Sequence, residues 1–147
     1  MLNADRTETI TATAEQVWEI VADVANYPSW HPFFTTLDVR ERDAAGRVLL
    51  AACTHGTSVV TLRTELRFTY DEGHTLRAAG KGQDLKSVAG SFELGDGADG
   101  VGLRHTLTVD PGFKLGLLLR GPVEERVRTS VLDGAFRGIR GKVGPGV

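Results

Sequence analysis

The stretch T-A-E-Q-V-W-E-I-V-A-D-V-A-N-Y-P-S-W-H-P-F-F, residues 13–34, constrains how the rest of the chain folds. It opens with a helix start signal. The Thr13 hydroxyl caps the first turn, and Gln16, three residues on, reaches back to the N–H of the cap. Val17, Ile20, Val21 and Val24 recur at helical spacing, which predicts one buried face. Tyr27-Pro28 ends that helix, because the residue before a proline is pushed out of the helical region. Trp30, Phe33 and Phe34 then crowd around His31, among two prolines. Aromatic residues that dense just after a helix either plug a core or line the mouth of a cavity.

Working outward, residues 6–12 are threonine-rich and alternate, which predicts a strand leading into the helix. Downstream, residues 37–42 alternate up to a turn at 43–47, and residues 48–55 are apolar enough to be covered on both faces. The clearest period of two follows Gly56. Val60, Leu62, Thr64, Leu66, Phe68 and Tyr70 share one face of a long strand, with Arg63, Glu65 and Arg67 on the other. Residues 75–81 form the next strand. Val88, Gly90, Phe92 and Leu94 then share a face, and after the hairpin loop G-D-G-A-D-G so do Val101, Leu103, His105, Leu107 and Val109. His55 and His74 flank turns and are expected to be exposed.

The C-terminal region changes period. Gly121-Pro122 with Glu124 and Glu125 reads as a helix start. Val123, Val127, Val131, Ala135, Ile139 and Val143 recur every fourth residue over about five turns, with Leu132 and Phe136 widening the stripe. Gly134 and Gly138, one turn apart, suit a close approach to another backbone. The order is strand, helix, aromatic segment, six antiparallel strands and one long helix. That order implies an α+β fold, a seven-stranded curved antiparallel sheet gripping a long C-terminal helix, with one or two short helices between strands 1 and 2. Space the helix leaves unfilled is the candidate cavity.

The whole chain sets bounds on function. Its 147 residues suit one domain, 1–147, and 41% apolar with 24% charged residues is ordinary for a globule. A formal net charge of −2 gives no case for nucleic acid or an anionic membrane. Cys53 is alone, no apolar run has signal-peptide length at the N-terminus, and the run at residues 117–119 is too short to span a bilayer. A cytoplasmic location, no stable membrane insertion and a monomer or homodimer are the expectations.

The segment A-E-Q-V-W-E-I-V-A-D-V-A-N-Y-P-S-W (residues 14–30) resembles the N-terminal signature of the SRPBCC superfamily of START-like, helix-grip proteins, and more narrowly its polyketide cyclase/dehydrase and lipid-transport group. D-L-K-S-V-A-G-S-F-E-L (84–94) and H-T-L-T-V-D-P (105–111) are similar to its small actinobacterial members. The resemblance covers nearly the whole chain. It implies a deep apolar pocket between sheet and C-terminal helix in a group that includes aromatases and cyclases, lipid carriers and ubiquinone-binding proteins. No shared catalytic motif transfers with it.

His31 and His105 are the candidate catalytic residues. His31 could hydrogen-bond a ligand carbonyl or move a proton, or be a rim histidine. His105 shares a face with Leu103 and Leu107, where it is either a satisfied core residue or a site residue. Trp30, Phe33, Phe34, Thr64, Tyr70, Phe92, His105, Val127 and Val131 are the expected ligand-binding residues. No H-E-x-x-H, C-x-x-C, G-x-S-x-G or phosphate-binding loop occurs, so neither metal nor cofactor is expected. Three readings follow: binding of a hydrophobic small molecule (polyketide, lipid or isoprenoid) in a pocket of roughly 300–1,000 Å³, a polyketide cyclase/aromatase or dehydratase in the same cavity, or a macromolecular interaction module.

Overall fold

The computed structural model describes residues 2–56, 61–83, 85–116 and 121–144. Val60, Asp84 and residues 117–119 of the sequence reading lie outside them. The elements are β1 (Leu2–Ile10), α1 (Ala14–Ala22), a 3-10 helix (Val24–Ser29), β2 (Thr36–Arg42), β3 (Val48–Gly56), β4 (Thr61–Asp71), β5 (Thr75–Lys81), β6 (Ser87–Gly97), β7 (Gly100–Asp110), a five-residue α2 (Gly112–Gly116) and α3 (Pro122–Val143). The seven strands form one antiparallel sheet in the order β1-β7-β6-β5-β4-β3-β2. This is the α+β architecture that the sequence order implies.

The cap of α1 is the expected one. The Gln16 N–H donates to the Thr13 hydroxyl at 3.1 Å and the Thr13 N–H to the Gln16 side chain at 2.9 Å. The helix ends earlier than Tyr27-Pro28, at Ala22, and the chain tightens into the 3-10 helix with Pro28 inside it. The cause is Tyr27, whose buried hydroxyl donates to the Val21 carbonyl and so satisfies a helix end that would otherwise lack a partner. Val24 stays buried in the 3-10 turn.

Strand β1 begins at Leu2, four residues before the expected start, because its ladder with β7 runs from Leu2 opposite Val109 to Ile10 opposite Val101. On β4, Thr64, Leu66 and Phe68 are buried and Arg63, Glu65 and Arg67 exposed, the faces that alternation predicts. Helix α3 lies against β1 and α1. Its glycines admit the aromatic segment: a Cβ on Gly138 would stand 2.5 Å from the Trp30 carbonyl oxygen, and one on Gly134 2.6 Å from the Pro32 ring. Full burial on α3 begins only at Val131, while Val123 is 46% exposed. The stripe is therefore gripped fully from Val131 on, with Val127 half-buried against the core before it. Among the described residues, no helix is long and apolar enough to cross a membrane.

Candidate functional site

Residues 30–34 follow the 3-10 helix as a tight turn. The His31 N–H donates to the Tyr27 carbonyl at 2.8 Å and the Phe34 N–H to the His31 carbonyl at 3.1 Å. Pro32 faces α3, so the His31 side chain points toward the sheet and is 3% exposed. The rim position considered for it is not the one it occupies. It meets His105, which stands on the inner face of β7 opposite Phe92 of β6. Phe92 stacks on His105, with ring centres 4.1 Å apart and planes 11° apart.

The two imidazoles are hydrogen-bonded through their Nε2 atoms at 3.0 Å, and their outer nitrogens fix which one donates. His105 Nδ1 faces the Ser91 carbonyl at 2.9 Å and must donate to it, so its Nε2 is an acceptor. His31 Nδ1 receives the Phe33 N–H at 3.2 Å, so its Nε2 carries the hydrogen. The run is Phe33 N–H to His31, His31 to His105, His105 to the Ser91 carbonyl.

A third imidazole joins from the other side. His55, expected to be exposed, is 2% exposed. Its Nδ1–H donates to the Phe33 carbonyl at 2.9 Å, and its Nε2 accepts from the Thr64 hydroxyl at 2.6 Å. Phe33 stacks on it at 4.1 Å. The signal for His55 was the alternation of β3, since Ala51 and Cys53 face inward and the next position on that face is 55. Ser91, which supplies a main-chain oxygen, carries no side-chain signal of this role.

Burial holds all three rings neutral. It pulls His105 and His55 down to about 4, and His31 well below the ordinary histidine value, with the neighbouring imidazoles adding to the effect at His31. Cys53 is not an activated nucleophile, because burial pushes its thiol up to about 12. Among the described residues, no three His, Cys, Asp or Glu side chains converge to hold a metal ion.

Beside the His31–His105 pair lies a cavity of about 30 Å³. Tyr27, His31, Phe33 and Phe34 wall it on one side, and the strands from β4 to β7 on the other, through Leu66, Leu76, Val88, Phe92, His105 and Leu107. Among the described residues, no Lys, Arg, Asp or Glu lies on this wall. Its volume is about that of one water, far below the expected pocket. It also sits under the aromatic segment rather than under α3, because Pro32 and Trp30 occupy the space against Gly134 and Gly138.

The other expected ligand-binding residues are placed elsewhere. Trp30 packs edge-on against Tyr27. Thr64 is one residue off the wall, joined to it through His55. Tyr70 donates to the Val48 carbonyl at 2.6 Å and faces the Arg47 guanidinium. Val127 and Val131 lie on α3, away from the cavity wall.

No functionally curated protein matches the chain. Among solved structures, the fold is similar to a START superfamily protein from Mycobacterium smegmatis (TM-score 0.78, 19% identity, 97% of each chain covered). It is also similar to a protein from Thermus thermophilus (TM-score 0.80, 17% identity, 96% of each chain). The di-domain ARO/CYC StfQ from the steffimycin biosynthetic pathway matches with TM-score 0.69 and 15% identity over 97% of this chain and 50% of its own. At these identities the likeness is one of fold. The sequence itself matches the family described as polyketide cyclase / dehydrase and lipid transport over residues 1–143, and the chain belongs to that family.

Proposed function

We propose that this protein binds a neutral, apolar small molecule on the inner face of its sheet, behind residues 27–34. The observation that carries this reading is an apolar-walled cavity on which His31 and His105 converge. Ligand sites have this composition, a mostly apolar lining with a few placed polar groups. A segment serving only as a plug would gain more from apolar side chains, because buried polar groups contribute little net and leave a large penalty when unpaired. In the closed state the cavity has room for about one water, so a ligand enters by moving residues 30–34 off the sheet. That segment reaches the inner face largely through side-chain hydrogen bonds and ring stacking.

Native mass spectrometry of the purified protein tests the reading, together with titration of the delipidated protein by the neutral fluorophore N-phenyl-1-naphthylamine. A co-purified adduct or saturable one-to-one binding is expected. Finding neither would return the fold to the interaction-module reading.

A second reading, a cyclase/aromatase or dehydratase, is favoured by one feature. Once its shared bond opens, the pair sets a donor and an acceptor side by side on the cavity wall, which is what moving a proton on a bound chain requires. Unchanged turnover of a polyketide-type substrate after replacing both histidines would remove it.

A further inference from the structure

We infer that the molecule held in this cavity carries a hydroxyl group, which seats between His31 Nε2 and His105 Nε2. The inference rests on the binding reading above and adds which polar group the site selects.

The main chain fixes the polarity of the gap. The Phe33 N–H occupies His31 Nδ1 and the Ser91 carbonyl takes the hydrogen of His105 Nδ1, so neither ring changes tautomer without losing a buried bond. Once parted, the pair presents one N–H and one bare nitrogen lone pair. A single atom that accepts from the first and donates to the second is a hydroxyl oxygen. A ketone or ether satisfies His31 and leaves His105 Nε2 without a donor. A carboxylate does the same and brings a charge into a wall that, among the described residues, holds no Lys or Arg.

The protein already uses this pairing once. His55 has its Nδ1–H on a carbonyl, as His105 does, and its Nε2 is capped at 2.6 Å by the Thr64 hydroxyl. A ligand hydroxyl on His105 would repeat that arrangement. Bridging by one oxygen needs the two nitrogens to part from 3.0 Å to about 5 Å. His105 lies mid-strand in β7, between β1 and β6, so the displacement falls to His31 on its turn.

The test compares 2-naphthol, 2-methylnaphthalene and 2-naphthoate binding to the full chain at neutral pH. The methyl probe has nearly the shape of the hydroxyl probe and is more hydrophobic, so transfer from water alone favours it. The expected result is 2-naphthol bound about tenfold tighter than 2-methylnaphthalene, with 2-naphthoate weakest. His105→Phe should erase the preference. On the unmodified protein, saturating 2-naphthol should shift the imidazole ¹⁵N signals of His31 and His105 and leave that of the exposed His74 in place, a readout that does not depend on the variant folding. Equal affinity for 2-naphthol and 2-methylnaphthalene, or ¹⁵N signals that do not move, overturns the hydroxyl assignment while binding itself stands. Failure of all three probes overturns the binding reading, and this inference with it.

Discussion

His31 and His105 are each tied to the main chain by one ring nitrogen and to each other by the second, so their shared bond is the middle link of a row. Removing one ring strands the other. His105→Phe leaves the His31 N–H buried without an acceptor, and His31→Phe leaves His105 Nε2 without a donor. Each single change should cost about 1–3 kcal/mol for the stranded group. Replacing both rings by Phe removes the mismatch between them, so the double variant should lose less than the sum by about 1 kcal/mol. Urea unfolding of the four proteins measures this, and additive losses would mean that the two rings are not coupled. The inward position of His105 was legible, because it alternates with Leu103 and Leu107. That of His31 was not, since a turn has no period and its direction is set by Pro32 meeting α3.

At the scale of elements, α3 and the aromatic turn fit only because two positions lack a Cβ. Ala at 138 would gain up to about 1 kcal/mol in helix propensity. Its Cβ, however, would stand 2.5 Å from the Trp30 carbonyl oxygen, a main-chain atom that moves only with the whole turn. Gly138→Ala should therefore destabilise the protein and loosen His31 with it. Gly141→Ala, on the same helix with nothing within 4 Å, should be neutral or stabilising by about 0.5 kcal/mol. Thermal unfolding of the two variants decides the matter; equal shifts would show that the close approach carries no weight. The glycine spacing was readable as a close-approach signal, while its partner was not, because Trp30 and Pro32 are distant in sequence. The same helix shows the limit of periodicity. Val123 continues the apolar stripe yet is exposed, and Val127 is only half-buried, since a repeat states which side is apolar and not how far a neighbour extends.

For the molecule as a whole, three neutral imidazoles from the turn, β3 and β7 meet on one inner face, and that ties stability to pH. Unfolded histidine takes up its proton near 6.5, whereas burial holds His55 and His105 at about 4 in the folded protein. Between those values the unfolded chain binds more protons, so acid favours unfolding and the contribution present above 6.5 is lost as pH falls toward 4. The full loss is on the order of 3 kcal/mol for each of these two rings, and His31 shifts in the same direction. Exposed carboxylates add their share lower down: Asp5, hydrogen-bonded by Arg104, and Glu72, hydrogen-bonded by Arg47, are both held below the ordinary carboxylate range. The proton also has no free nitrogen to occupy on the turn. Phe33 N–H covers His31 Nδ1 and His31 covers His105 Nε2, so a proton on His105 breaks the bond that holds residues 30–34 to the sheet, and one on His31 breaks a bond inside the turn itself. At His55 the Thr64 hydroxyl turns and accepts instead. Unfolding free energies measured in urea between pH 7.5 and 4.5 should therefore fall with a mid-window slope approaching about 4 kcal/mol per pH unit, the limit for three histidines. In the His31→Phe/His105→Phe double variant the slope should drop to about a third of that, the share of His55. A double variant as steep as the parent would show that the acid sensitivity lies outside this network, and that protons do not govern how the turn is held against the cavity.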